Sequence, residues 1–240
     1  MQTIKIPILM YHSISSVPKG TVMRSLHVHP RNFKLQMWIL KVLGYKALSL
    51  KNLRPYLNGQ KIGKVVGITF DDGYQNNLIH AAPILRKYDF SATCYVVSSK
   101  LGGSNSWDID KGIPQIPLMN QDEINLWLQF GMDIGAHTKN HVDLTEVSLD
   151  YAKSEIRDCK SELEKIFKIR VTDFCYPFGR FNDSILNLVR ESGYYSASSM
   201  QRGRVGNDSN KFLLPRIPVN YRTMPHLFLA KILTKYEDRR

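Results

Sequence analysis

Strand-like and helix-like segments alternate along the 240 residues of this chain. Short β-branched or apolar runs predict strands at 4–10, 65–70, 92–97, 132–136 and 173–176, with weaker runs at 194–198 and 212–219. Amphipathic stretches predict helices at 33–43, 75–87, 121–130, 148–167 and 183–190. This alternation predicts an α/β fold with a parallel sheet and crossover helices. About seven strands in a single domain over residues 1–240 favour a distorted (β/α) barrel of TIM type.

The composition is that of a globular protein, with 43% hydrophobic and 22% charged residues. No apolar run approaches the roughly 18 residues that a membrane-spanning helix needs. The first ten residues lack the long apolar stretch and the cleavage site of a signal peptide. We therefore expect a cytoplasmic protein, with the inner face of the membrane as an alternative location. The three cysteines are widely spaced in apolar surroundings, which predicts buried reduced thiols rather than a disulfide framework.

Basic residues outnumber acidic ones by 33 to 21, which gives a net charge of +12 and favours anionic partners. The basic residues are scattered, without an arginine-rich arm or an RNA-binding aromatic motif, so no nucleic-acid partner is expected. The segment 225–236 combines apolar residues with lysines and has two interpretations. Peripheral contact with a membrane is one. Packing of a last helix onto the barrel is the other, and it is the favoured one.

Two adjacent carboxylates, Asp71 and Asp72, follow the predicted strand 65–70. The carboxyl ends of the strands in a parallel barrel face the active site, so both side chains are expected there. Such a pair persists more easily if one carboxylate binds a cation while the other accepts protons. A turn that caps the next helix is the alternative explanation.

Two histidines, His137 and His141, follow the predicted strand 132–136. Imidazoles four residues apart can converge on one metal ion. Together with Asp72 they would make a three-ligand site for zinc or a similar divalent ion, with positions left open for water and substrate.

Two further segments are candidates for the walls of the site. The run 174–180 ends another predicted strand, and its Pro177 and Gly179 predict a sharp turn that can point backbone N–H groups at a developing oxyanion. The stretch 98–120 has no clear predicted element. Long loops of this kind are often functional, so its Trp107 is a candidate for the wall of a substrate cleft.

The order and spacing of these motifs resemble a known family. The runs TFDDG at 69–73, HTKNH at 137–141 and YPFG at 176–179 closely resemble the first three motifs of the polysaccharide deacetylases, the NodB-homology group of carbohydrate esterase family four. MYHSI at 10–14 is similar to the opening of many members. The resemblance implies one deacetylase domain with a distorted (β/α) barrel of about seven strands. It also implies a divalent metal, with zinc as the first choice and cobalt, nickel or manganese as alternatives.

The resemblance also implies roles for individual residues. Asp71 becomes the general base, and a backbone N–H near Phe178, in the motif that contains Tyr176, would hold the oxyanion. The implied metal ligands are Asp72, His137 and His141. A divalent metal lowers the pKa of a coordinated water toward about 7 and polarises a carbonyl, which suits hydrolysis of an amide.

Two departures from the commonest family pattern affect these roles. The usual Leu-x-His near the C-terminus, which supplies the general acid, is missing. His12 is the expected replacement, because it resembles the N-terminal Tyr-His of the poly-N-acetylglucosamine deacetylases; a histidine that only hydrogen-bonds a loop is the alternative. Cys175 stands where the family often has an arginine, so Arg216 or Arg180 is expected to orient Asp71.

The expected activity is therefore metal-dependent removal of the N-acetyl group from an amino sugar in a polysaccharide or in a glycan precursor. A precursor linked to a lipid or a nucleotide would suit the expected location and the basic charge. Hydrolysis of another amide or ester, such as a formyl-sugar lipid or an O-acetyl group, is the nearest alternative. A non-catalytic glycan- or metal-binding module is the alternative from a different class.

Overall fold

The computed structural model of this chain describes residues 5–206 and 208–239. Its strands are β1 (Ile8–Tyr11), β2 (Ser13–Ile14), β3 (His27–Val28), β4 (Lys46–Leu48), β5 (Val65–Phe70), β6 (Thr93–Val96), β7 (Asp133–Ala136), β8 (Asp173–Cys175), β9 (Ser196–Arg202) and β10 (Leu214–Pro218). Its α-helices are α1 (Pro30–Val42), α2 (Leu50–Leu57), α3 (Ala82–Lys87), α4 (Gln121–Gln129), α5 (Leu149–Phe167), α6 (Asp183–Glu191) and α7 (Pro225–Leu233).

Seven parallel strands close into a barrel, which confirms the predicted fold class. Strands β5 to β10 pair in chain order, β10 pairs with β1, and β1 returns to β5 in the register Ile8 opposite Gly67 and Tyr11 opposite Phe70. The strand β4 also pairs with the first half of β5, and β2 and β3 form a separate small sheet. Because all seven barrel strands are parallel, their carboxyl ends meet at one end of the barrel.

The predicted elements differ from the observed ones in a few places. Of the strand predicted at 4–10, Ile4 lies outside the described residues. The sequence patterns missed β4 and α2, and α2 contains Pro55, a residue that normally argues against a helix. Its N-terminus is nevertheless capped, because the Ser49 hydroxyl accepts a hydrogen bond from the backbone N–H of Asn52. The helix predicted at 75–87 contains a π-helical turn at Asn77–Ala81.

The last helix packs onto the barrel, which is the favoured of its two interpretations. Phe228 and Ile232 of α7 are buried in the main hydrophobic core, and Leu229 packs against it. Among the described residues, no helix is both long enough and apolar enough to span a bilayer.

A glycine in β7 makes room for an aromatic side chain inside the barrel. Gly135 lies opposite Tyr95 of β6, and the Tyr95 hydroxyl hydrogen-bonds Ser198 of β9 across the interior at 2.8 Å. A Cβ atom at Gly135 would lie 2.5 Å from the Tyr95 ring and 2.8 Å from the backbone oxygen of Asp173. Tyr95 is fully buried, and the backbone of β8 cannot easily move away.

Gly135→Ala is therefore expected to lower the free energy of unfolding by about 1–3 kcal/mol, because the new methyl group overpacks the barrel interior. Urea denaturation followed by circular dichroism measures this difference. If the variant and wild type had the same midpoint of urea unfolding, the strands would adjust to the methyl group without loss of stability.

Candidate active site

The predicted site residues meet at the carboxyl ends of the barrel strands. A cavity of about 600 Å³ opens there. Except for Arg216 and its alternative Arg180, every predicted site residue lines it, namely His12, Asp71, Asp72, Trp107, His137, His141, Tyr176 and Phe178. Arg216 is 1% exposed and contacts Asp71 from within the barrel.

Three of these side chains form a compact set of possible metal ligands. One carboxylate oxygen of Asp72 lies 3.4 Å from Nε2 of His137 and 3.3 Å from Nε2 of His141. Ligand atoms held 2.0–2.2 Å from one tetrahedral zinc ion are about 3.3–3.6 Å apart. Two imidazole nitrogens and one carboxylate oxygen therefore fit a divalent metal, both in chemistry and in spacing.

The backbone around these ligands is strained. Asp72, Thr138 and His141 have φ angles of 74°, 62° and 60°, in the left-handed region that residues other than glycine rarely adopt. The Thr138 hydroxyl accepts a hydrogen bond from the backbone N–H of His141, which stabilises the turn. Strain of this kind costs free energy and is concentrated at functional sites, so its position here agrees with a functional role for the turn.

Hydrogen bonds set the charge and the orientation of this set. The ring Nδ1 of His137 donates to the backbone oxygen of Cys175 at 2.8 Å, which leaves Nε2 directed at Asp72. Burial alone would raise the pKa of Asp72, but its contacts with His137 and His141 hold that pKa well below its usual range. Asp72 is therefore ionised at neutral pH, as a metal ligand must be.

A second group of possible ligands shares His137 but is already occupied. Asp71, His137 and Cys175 also bring one ligand atom each close together. Both oxygens of Asp71, however, accept hydrogen bonds from Arg216, and the Cys175 sulfur lies 3.2 Å from the same guanidinium group. The site that contains Asp72 is therefore the better candidate.

The structure selects Arg216 as the partner of Asp71. Its two terminal nitrogens donate to the two carboxylate oxygens at 2.6 and 2.9 Å. Burial alone would raise the pKa of Asp71, but Arg216 lowers it below the usual range. The alternative, Arg180, has a side chain that is 61% exposed and pairs with Asp143 at 2.5 Å.

The sequence patterns did not predict which residues hold Arg216. The backbone oxygen of Ser199, the hydroxyl of Thr69 and the sulfur of Cys175 all accept from its guanidinium group. They come from the strands β9 and β5 and from the end of β8. Only the barrel brings these distant segments together.

His12 also lies beside Asp71. Its Nε2 is 3.8 Å from a carboxylate oxygen of Asp71, and 17% of its side chain is exposed in the cavity. The side chain of Asn77 donates to the backbone oxygen of His12, and Asn76 and Asn77 both accept from the backbone N–H of Ile14. The two asparagines follow the Asp-Asp-Gly motif after two intervening residues, and the sequence patterns did not predict this anchoring role.

Comparison with known proteins decides the family. The family model for polysaccharide deacetylases matches residues 58–197, which is more than half of the chain. The chain belongs to the polysaccharide deacetylase family. Its members remove acetyl groups from carbohydrates, so the chain is placed among carbohydrate-deacetylating hydrolases.

Individual relatives agree with this placement. YxkH of Bacillus subtilis is 31% identical over 90% of this chain and 72% of its own length. The poly-β-1,6-N-acetyl-D-glucosamine N-deacetylase of Staphylococcus epidermidis is 26% identical over 86% of this chain and 73% of its own length. The solved structure of the Streptococcus pyogenes deacetylase PplD in complex with acetate superposes with a TM-score of 0.83 at 29% identity, over 96% of this chain and 99% of that one.

The third polysaccharide deacetylase motif forms one wall of the cavity. The Tyr176 hydroxyl donates to the backbone oxygen of Phe212, and its backbone N–H donates to the backbone oxygen of Ser198. Phe178 and Gly179 have φ angles of 56° and 68°, so the predicted sharp turn is present. The oxyanion donor near Phe178 stays a prediction.

His27 lies outside the cavity and supports the loop next to His12. The ring Nδ1 of His27 lies 3.0 Å from the Ser13 hydroxyl and 2.9 Å from the Ser15 hydroxyl. Burial, and to a smaller extent the nearby His12, lowers the pKa of His27 from its ordinary value of 6.5 to about 4. The folded protein therefore holds His27 in its neutral form at neutral pH.

This lowered pKa predicts a loss of stability in acid. His27 is protonated below about pH 6.5 in the unfolded chain but only below about pH 4 in the folded chain. Its contribution to the free energy of unfolding is therefore complete above about pH 6.5 and is lost as the pH falls to about 4. Between pH 7 and pH 4, wild type is expected to lose about 1–3 kcal/mol more of its unfolding free energy than His27→Gln. Urea denaturation at both pH values measures this difference. The matched control His80→Gln removes an exposed histidine and should behave like wild type; equal losses in wild type and His27→Gln would contradict the prediction.

Proposed function

We propose that this chain is a divalent-metal-dependent deacetylase that hydrolyses the N-acetyl group of an amino sugar in a polysaccharide or glycan precursor. One observation carries the proposal. Three features border the same cavity, at the end of the barrel where the strands terminate. They are the three possible metal ligands, an ionised carboxylate and a histidine.

The relatives support the substrate class. The Staphylococcus epidermidis relative is named for de-N-acetylation of poly-β-1,6-N-acetyl-D-glucosamine. PplD was solved with acetate, the acid that deacetylation releases. A polymer of N-acetylated amino sugars is therefore the first substrate class to test.

The proposed metal ligands are Asp72, His137 and His141. Their mixed nitrogen and oxygen donors suit zinc, and also cobalt, nickel or manganese. When bound, a divalent metal polarises the acetyl carbonyl and lowers the pKa of a coordinated water. The rest of the chemistry falls to side chains of this chain.

Asp71 is the proposed general base. It is ionised at neutral pH and borders the cavity, so it can accept the proton of the attacking water. Arg216 fixes both of its oxygens and therefore its orientation. His12 is the proposed general acid, since it borders the same cavity and can deliver a proton to the departing amine nitrogen.

The decisive experiment is acetate release from N-acetylglucosamine oligosaccharides by protein reconstituted with zinc or cobalt. Chelated protein and His137→Ala are expected to release none, and adding metal back should restore only the chelated wild type. His80→Ala, which removes an exposed histidine outside the cavity, is the matched control and should release acetate at the wild-type rate.

Other outcomes select the alternatives. Release only from O-acetylated or N-formylated sugars would assign the same site to a different ester or amide. Tight metal binding without release from any member of the panel would favour a binding module. The lipid-linked substrate, the membrane contact and the cytoplasmic location stay predictions from the sequence.

A further inference from the structure

The two candidate histidine ligands are supported in different ways. The ring of His137 is fixed by the hydrogen bond from its Nδ1 to the backbone oxygen of Cys175. The Nδ1 of His141 is buried and has no hydrogen-bond partner among the described residues. Metal-binding histidines almost always use their second nitrogen for such a bond, which fixes the ring and raises its affinity for the metal. His141 must therefore be oriented by something else.

Two aromatic rings enclose His141 instead. The indole of Trp107 stacks on the imidazole, with the ring centres 4.3 Å apart and the planes at 22°. The ring of Phe178 meets the same imidazole edge-on, at 4.7 Å and 79°. We call Trp107 and Phe178 the aromatic clamp. Stacked and edge-on rings attract one another beyond the effect of burial alone, so the clamp restricts rotation of the imidazole.

A lysine ties the two halves of the aromatic clamp together. Lys111 lies in the same short helical turn as Trp107, Ser106–Lys111. Its ammonium group pairs with the buried Asp108 at 2.9 Å and lies 4.5 Å from the centre of the Phe178 ring. The turn that carries Trp107 is thereby linked to the turn that carries Phe178.

The position of Trp107 also suits a ligand histidine electronically. An imidazole that gives its lone pair to a cation becomes electron-poor, and the indole face attracts positive charge more strongly than the other aromatic rings. Stacking on Trp107 should therefore strengthen when His141 binds a metal. Through this stacking, the loop 98–120 that carries Trp107 affects the affinity of the site for metal.

We propose that Trp107 is a positioning residue that orients His141, as the Cys175 carbonyl orients His137. The metal affinity of the site then depends on the aromatic ring of Trp107. The inference rests on the proposed function in one respect, that His141 binds the metal. It assigns Trp107 a role toward the metal centre, in addition to its place in the wall of the cleft.

The test is a zinc titration of the chelator-stripped protein against a chromophoric competitor. Trp107→Leu, which keeps an apolar side chain without a ring, is expected to bind zinc about tenfold more weakly. Trp107→Phe restores a ring and should bind within about threefold of wild type. Trp38→Leu is the matched control, since Trp38 is 49% exposed on α1 and does not line the cavity, and it should bind like wild type.

Two results would overturn the proposal. Equal zinc affinity in wild type and Trp107→Leu would show that the ring does not position His141. Equal weakening in Trp107→Leu and Trp107→Phe would show that shape rather than aromatic character matters. A His141→Ala variant separates this failure from failure of the proposed function, because zinc affinity that survives His141→Ala would remove His141 from the metal site altogether.

Fluorescence gives a second measurement, which does not depend on how Trp107→Leu folds. Cobalt(II) quenches a tryptophan that lies next to it. Titration of chelator-stripped wild type with cobalt should quench part of its emission at one equivalent, and Trp107→Phe should lack that step. Cobalt binding without such a difference would contradict the stacked geometry.

Discussion

Asp71→Asn is expected to lower kcat for acetate release by about 10²- to 10⁴-fold, the range typical for loss of a general acid or base. The amide has nearly the same shape as the carboxylate but does not accept the proton of the attacking water. Zinc affinity should stay close to the wild-type value, because the candidate metal ligands are Asp72, His137 and His141. Steady-state kinetics on metal-loaded protein, together with a zinc titration, measure both quantities.

The control for this variant is Asp143→Asn. Asp143 is also paired with an arginine, Arg180, but neither residue lines the cavity. Its kcat should equal that of wild type. If Asp71→Asn retains more than about a tenth of the wild-type kcat, another group is the base. If it loses zinc as well, Asp71 belongs to the metal site instead.

Arg216→Met is expected to lower the free energy of unfolding by about 3–5 kcal/mol. Asp71 is only 3% exposed, and Arg216 supplies the two shortest contacts to its oxygens. Without the guanidinium group, a buried carboxylate loses its charge partner, which costs more than the pair itself contributes. Urea denaturation of the two proteins gives the difference.

The double variant Asp71→Asn, Arg216→Met separates stability from catalysis. Because it removes both charges, it should recover part of the lost stability while staying inactive. Arg180→Met is the matched control, since it breaks an exposed pair and should cost no more than about 1 kcal/mol. A cost below about 1 kcal/mol for Arg216→Met would mean that water or another group compensates Asp71.

Local patterns in the sequence were sufficient for the barrel and for most of the site. The seven barrel strands and five of the helices followed from apolar periodicity, because these segments bury one face or both faces. Asp71, Asp72, His137 and His141 followed from their position directly after predicted strands. In a parallel barrel, position in the chain already places such residues at the same end.

The elements that were missed have specific physical causes. The helix α2 forms despite Pro55, because Leu50 and Leu53 bury its apolar face. Helix propensities do not include this tertiary packing. The π-helical turn at Asn77–Ala81 breaks a pattern that predicts a regular helix, and Asn77 within it contacts the loop of His12. Both depend on contacts with residues far away in the chain.

The sequence by itself determined the family motifs, the strands that carry them and the end of the barrel at which they meet. Only the tertiary structure decided that Arg216 rather than Arg180 pairs with Asp71, and that Trp107 stacks on His141. The physical reason is that periodicity reports which face of a segment is buried. It does not report which distant side chain fills the space beside it, and in this barrel that side chain sets the charge and the orientation of the candidate catalytic groups.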